Sequence, residues 1–149
     1  MKKKEESDFD LTISVCKNIC EKYGKFGPAS CYPEKERPVV MTTTVTGLIE
    51  NGGFRYLFGS TLPGDLDYKH TLESFKKIGC QPAVEIIEEV LSHFPGKKPP
   101  IDDVKRVNAY ESIPEEIRDS LDSRFWKIRH DITECLANYI RKEVLPPKK

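Results

Sequence analysis

With 149 residues, 38% of them hydrophobic and 24 basic against 24 acidic, the chain is the size of one domain, large enough to bury a core and too apolar for wholesale disorder. No apolar run approaches the ~20 residues of a membrane span, and none follows the basic start "MKKKEESDFD", so a cytoplasmic protein with no secretory signal and no membrane partner is expected. Setting aside Lys2, Lys3, Lys4, Lys148 and Lys149, in the expected tails 1–7 and 146–149, leaves 19 basic against 24 acidic residues, which speaks against direct nucleic-acid binding and permits an acidic face aimed at a basic partner.

A single helical domain is expected over residues 8–145. Its first helix should run from about Asp8 to Tyr23. There Asp10, Ser14, Lys17, Asn18, Glu21 and Lys22 crowd into a polar arc of about 100°. Phe9, Leu11, Ile13, Val15, Cys16, Ile19, Cys20 and Tyr23 fill the rest, so this helix is expected to be heavily buried. Gly24 and Gly27-Pro28 end it, and residues 25–37 read as a polar loop. The five cysteines, Cys16, Cys20, Cys31, Cys80 and Cys135, form no C-x-x-C pair and read as reduced thiols in the core. Cys16 and Cys20, at i and i+4, could share a metal, but their place well inside the apolar arc favours core packing.

The run "VVMTTTVT" at 39–46 is rich in β-branched residues, yet its alternate positions are not cleanly apolar. On a helix, Val40, Met41, Thr44, Val45, Leu48 and Ile49 gather on one side, and Thr42, Thr43, Thr46, Gly47 and Glu50 on the other. Pro38 fits the first helical position. Asn51-Gly52-Gly53 then caps this helix and turns the chain into a short aromatic helix with Phe54, Leu57 and Phe58, ended by Gly59. A β-hairpin across Asn-Gly is the competing reading. The rings at 54–58 are expected in the core; an exposed patch there would suit a second copy of the chain.

Asp65 or Asp67 can cap a helix whose stripe is Tyr68, Leu72, Phe75 and Ile78, stopped by Gly79. Pro82 opens another with Ala83, Ile86, Ile87, Val90, Leu91 and Phe94 inward and Glu85, Glu88 and Glu89 outward. Asp102 or Asp103 can cap a short helix through Tyr110. Ser112-x-x-Glu115 has the form of a capping box, with Pro114 early in the helix. From there the stripe Ile117, Leu121, Phe125, Ile128, Ile132, Leu136, Ile140 continues to about Val144. One straight helix of ~30 residues would span ~45 Å, so a bend or break near Arg129-His130-Asp131 is expected. The fold class is all-α, a bundle of six or seven helices whose last helix is long and bent or broken.

No catalytic or cofactor signature appears: H-E-x-x-H, G-x-G-x-x-G, the P-loop and G-x-S-x-G are all missing. The expectation is a non-enzymatic protein without cofactor. His70, His93 and His130 lie on the polar sides of their helices. Asp67, His70 and Glu73, spaced by three, could converge on a metal and carry a small metal-dependent hydrolase, but that spacing recurs on any charged helix. The remaining lead is acidic. Glu85, Glu88 and Glu89 form one cluster; Glu111, Glu115, Glu116, Asp119 and Asp122 form another, against Arg118 alone. Carboxylates spaced like phosphates could occupy a DNA-binding groove, and such contacts would be salt-sensitive.

"NGGFRYLF" (51–58), "LESFKKIGC" (72–80), "AVEIIEEVLSHFPGKKPP" (83–100) and "LDSRFWKI" (121–128) occur in that order. Together they resemble the bacterial DNA-mimic-protein family over roughly residues 39–144, "NGGF" being the most specific element. The resemblance implies an all-α, non-enzymatic domain whose named member presents an acidic surface to DNA-binding proteins. It assigns Asn51, Gly52, Gly53 and Phe54 a structural role as cap, turn and core anchor. The functional expectation is an acidic protein-binding domain, with Glu85, Glu88, Glu89, Glu115, Glu116, Asp119 and Asp122 as the candidate face. The expected partner is basic, either a DNA-binding protein or a toxin that the chain would neutralise.

Overall fold

The computed structural model describes residues 6–25 and 27–146. Most of both expected tails, 1–5 and 147–149, therefore lies outside the described residues. Seven α-helices are present among them: α1 (Asp8–Tyr23), α2 (Arg37–Gly59), α3 (Lys69–Lys77), α4 (Gln81–Ser92), α5 (Asp103–Glu111), α6 (Glu115–Lys127) and α7 (Arg129–Tyr139). The described residues form no strand. Short 3₁₀ turns cover Ala29–Cys31 and Pro95–Lys97, and a π turn, Ile140–Val144, extends α7.

Helix α2 is the axis of the bundle. Helices α1, α3, α5, α6 and α7 pack on it, while α4 packs on α3 and α6, and α1 on α7. A helix with five neighbours has little outer face. Val39, Val45 and Ile49 are fully buried, and so is Thr42, which the wheel had assigned to the polar side. Its hydroxyl is accommodated by donating to the Pro38 carbonyl at 2.6 Å, the local bond that lets threonine enter an apolar helix. This many-sided burial also outweighs the strand propensity of the β-branched run, because packing exceeds a few tenths of a kcal/mol per residue.

The second half of α2 opens onto a cluster of rings. Phe58 meets Tyr68 and Phe94 edge to face at centroid distances of 5.3 Å and 4.9 Å, and Tyr110 at a tilt at 5.3 Å. Phe54 meets Phe125 edge to face at 5.6 Å, and Phe75 reaches the other side of Phe125. These rings come from α2, α3, α5, α6 and the turns around them, so one cluster ties most of the bundle together.

Buried Arg106 fastens the end of α2. Its guanidinium donates to the carbonyls of Phe58 (2.5 Å), Ser60 (3.3 Å), Pro100 (3.3 Å) and Ile101 (2.9 Å). A helix C-terminus presents unpaired carbonyls and a partial negative charge, both of which suit a buried cation.

Several local expectations are corrected. Helix α1 is not heavily buried: Phe9 and Ile13 are 50% and 45% exposed, because an open cleft separates them from α2 and α7. Its N-cap is Ser7, whose Oγ accepts from the Asp10 N–H at 3.1 Å. The loop 25–37 is not simply polar, since it buries Ala29 and Tyr32. The capping box does not form. Ser112 ends α5 and its hydroxyl donates to the Asn108 carbonyl at 2.9 Å, while Pro114 takes the N-cap position of α6 without a side-chain cap. The long last helix breaks at Ile128, with φ −99° and ψ 10°, next to the expected Arg129-His130-Asp131.

Candidate functional site

The break in α2 is where the sequence motif and the tertiary structure meet. Gly52 has φ −160° and ψ 23°; Gly53 has φ 71° and ψ −170°, a region that glycine alone enters readily. The helix therefore stops and restarts, leaving free carbonyls on one side and free N–H groups on the other. Helix α6 supplies both partners. Asp122 Oδ1 accepts from the Phe54 N–H at 2.9 Å, and the Trp126 indole N–H donates to the Ile49 carbonyl at 3.0 Å. Residues 122 and 126 are four apart and so share a face. A Cβ on Gly53 would lie 2.5 Å from Asp122 Oδ2, so the carboxylate approaches only because nothing stands there.

Gly52 and Gly53 make the turn and Phe54 is fully buried as the anchor. Positive φ falls on Gly53 alone among the three residues of the joint. Ion pairs brace the surroundings: Glu50 with Arg129 at 2.6 Å and Arg55 with Glu111 at 2.8 Å. Burial holds the Asp122 carboxyl above the ordinary aspartate range, and the bond from Phe54 pulls the other way.

Along α6, Glu115, Asp119, Asp122 and Trp126 follow one another at intervals of four, three and four, a single stripe. The end of the stripe is spent on the break. Its beginning is solvated: Glu115, Glu116 and Asp119 are exposed and take part in no ion pair among the described residues. The neighbouring cation, Arg118, is drawn inward. Its Nε donates to the Ile113 carbonyl at 2.8 Å, and its guanidinium lies over the Tyr110 ring at 5.9 Å. The α4 cluster differs. Glu88 faces Lys76 at 3.6 Å and Glu89 faces Arg124 at 2.7 Å, leaving Glu85 exposed without such a partner among the described residues. The sequence puts the two clusters on a par; the fold leaves α6 the more anionic.

Asp67, His70 and Glu73 do not converge. Asp67 accepts from the Lys69 N–H at 3.1 Å, and His70 Nδ1 stands 3.9 Å from Glu73. No three His, Cys, Asp or Glu among the described residues stand where they could share a metal. The cap of α3 is completed by buried Asp65, which accepts from the N–H groups of His70 (2.6 Å) and Thr71 (2.9 Å) and from the Thr71 hydroxyl (2.5 Å).

Two of the surface clefts border α1 and α2. One, of about 330 Å³, is lined by Cys16, Cys20, Tyr32, Val40, Met41 and Leu48 among others and has no carboxylate or histidine in its wall. Burial pushes the Cys16 thiol up to about 11, which disfavours the thiolate at neutral pH. The other, of about 200 Å³, lies between α1, α2 and α7 beneath Phe9 and Ile13; its charged groups, Glu50 and Arg129, pair with each other. Neither cleft gathers an acid, a base and a nucleophile. No described helix is long and apolar enough to cross a membrane.

A model of the DMP19-like protein family matches residues 30–143. The matched region takes in the break, the ring cluster and the stripe of α6, and begins nine residues before the resemblance read from motifs alone. No curated protein and no solved structure matches the chain.

Proposed function

This chain belongs to the DMP19-like protein family, and from that premise we propose that it acts by binding a basic protein through the acidic start of α6. The partner proposed is a DNA-binding protein, whose cationic surface Glu115, Glu116 and Asp119 would occupy in place of nucleic-acid phosphates. The observation that carries this reading is the exposure of these three carboxylates within little more than one helical turn, without a neutralising ion pair among the described residues. Glu115 and Glu116 lie in the first turn, where the helix dipole favours negative charge by ~0.3–1 kcal/mol. That offsets part of the repulsion between the two carboxylates. On α4, Glu88 and Glu89 are already engaged by Lys76 and Arg124.

The test is affinity capture from host lysate at low and high salt, with duplex DNA as competitor. The expected result is retention of basic DNA-binding proteins, released by salt and by DNA, because contacts between exposed charges are screened beyond about 8 Å at physiological ionic strength. The Glu115→Gln, Glu116→Gln, Asp119→Asn triple variant should retain on the order of tenfold less. Partners that are not basic, or retention indifferent to salt, overturn the reading.

A further inference from the structure

The same stripe that ends in carboxylates also carries Trp126, 47% exposed although its N–H is pinned to the Ile49 carbonyl. Across the break stands Tyr56, 51% exposed. Its side chain lies over Gly52: a Cβ there would be 2.8 Å from the Tyr56 Cβ and 3.2 Å from its ring carbons. Two large rings are thus half in water at one joint, each held from beneath by backbone. Rings fixed in this way lose little freedom when a partner docks.

We propose that Tyr56 and Trp126 are the aromatic anchors of the acidic face, and that they receive arginine side chains of the basic partner. This rests on the reading that the start of α6 is where that partner docks. The chemistry selects arginine over lysine. A guanidinium is planar, stacks on aromatic faces and pairs bidentately with a carboxylate, whereas an ammonium is a hydrated point charge. The chain already contains this arrangement, with Arg118 over the ring of Tyr110. The native cations near the break do not fill the role. Arg55 is paired with Glu111, Arg129 with Glu50 and Arg124 with Glu89. Charge complementarity sets the occupant: Glu115, Glu116 and Asp119, exposed and without an ion pair among the described residues, stand on the helix that carries Trp126, against Lys127 as its one exposed cation outside an ion pair, and this excess of carboxylates suits a cationic protein segment. Tyrosine, tryptophan and arginine are also the residues that dominate binding energy at interfaces.

Trp126 is the sole tryptophan, so its emission reports directly. The full chain is titrated with nona-arginine and with nona-lysine at low and high salt, by fluorescence and by calorimetry. The expected result is a salt-sensitive change in Trp126 emission with nona-arginine, and tighter binding of nona-arginine than nona-lysine by about two- to fivefold per ring. Tyr56→Leu, which keeps an apolar cover on Gly52 but removes the π face, should cut nona-arginine affinity by a similar factor and leave nona-lysine affinity unchanged. Asp119→Asn should weaken both peptides alike. If the two peptides bind equally, or bind without disturbing Trp126, or Tyr56→Leu changes neither, the anchors are wrong and the acidic-face reading stands. If neither peptide binds at low salt, both fall.

Discussion

Gly53 is the residue on which the joint in α2 turns. At φ 71° and ψ −170° any side chain is strained, and here a Cβ would also strike Asp122. Gly53→Ala should therefore cost about 3 kcal/mol in urea unfolding, above the usual range for a glycine replaced at positive φ alone. Gly52, with extended φ, carries no such φ strain, but a Cβ there would meet the Tyr56 Cβ, an atom fixed to the helix backbone, at 2.8 Å, so Gly52→Ala should also destabilise the joint. Asp122 separates two effects. Asp122→Ala removes the cap of Phe54 and should cost ~1 kcal/mol or more. Asp122→Asn keeps an acceptor and removes a charge that burial disfavours, so its stability should stay within ~0.5 kcal/mol. The sign with pH follows. A carboxyl whose pKa is raised on folding adds stability below its unfolded value and loses it as pH climbs through the folded one. Wild type should thus lose stability relative to Asp122→Asn as pH rises from about 4, measured by paired urea titrations. The thiols follow the same logic of burial. Cys80 is fully buried and, like Cys16, is pushed up to about 11, chiefly by desolvation. Both should resist a disulfide reagent at pH 7 until the chain is unfolded.

At the scale of elements, ends are decided by whichever partner is nearest in space. The termini of α2 at the break are served by α6, and its C-terminus by Arg106 from α5. Arg106→Met keeps much of the volume but leaves the carbonyls of Phe58 and Ile101 without their donor. It should cost about 2–4 kcal/mol, as expected for several buried acceptors left unpaired, and a chemical melt would show it. Ser112 is the contrasting case. Its hydroxyl serves the end of α5 rather than the start of α6, so Ser112→Ala should fall within ~0.5 kcal/mol instead of the ~1 kcal/mol of a lost N-cap. The motif S-x-x-E is legible in the chain, but Pro114 at the N-cap position displaces serine from the geometry a capping box needs.

For the whole molecule, Phe58 is the most connected point, touching rings from α3, α5 and the turn after α4. Phe58→Ala should lower stability by about 3–5 kcal/mol, and thermal unfolding followed at 222 nm and by Trp126 should remain one coincident transition. The first and last helices are joined to the same body: Arg141, just past α7, reaches Asp8 at 2.6 Å, and the Tyr139 hydroxyl donates to the Lys35 carbonyl at 2.7 Å.

What the sequence determined by itself was local: α1 at its observed bounds, Pro38 opening α2, the joint at Asn51-Gly52-Gly53, Gly79 stopping α3, and a break close to Arg129. Each follows from apolar spacing or from the backbone limits of glycine and proline, which act within a few residues. The candidate face was legible only as two acidic runs. Tertiary structure decided which of those carboxylates meet a cation, that Asp122 turns inward to a residue 68 positions away, that Thr42 is buried, and that Phe9 and Ile13 stay in water. Charge compensation and burial depend on neighbours brought from distant parts of the chain, and helical periodicity carries no record of who those neighbours are.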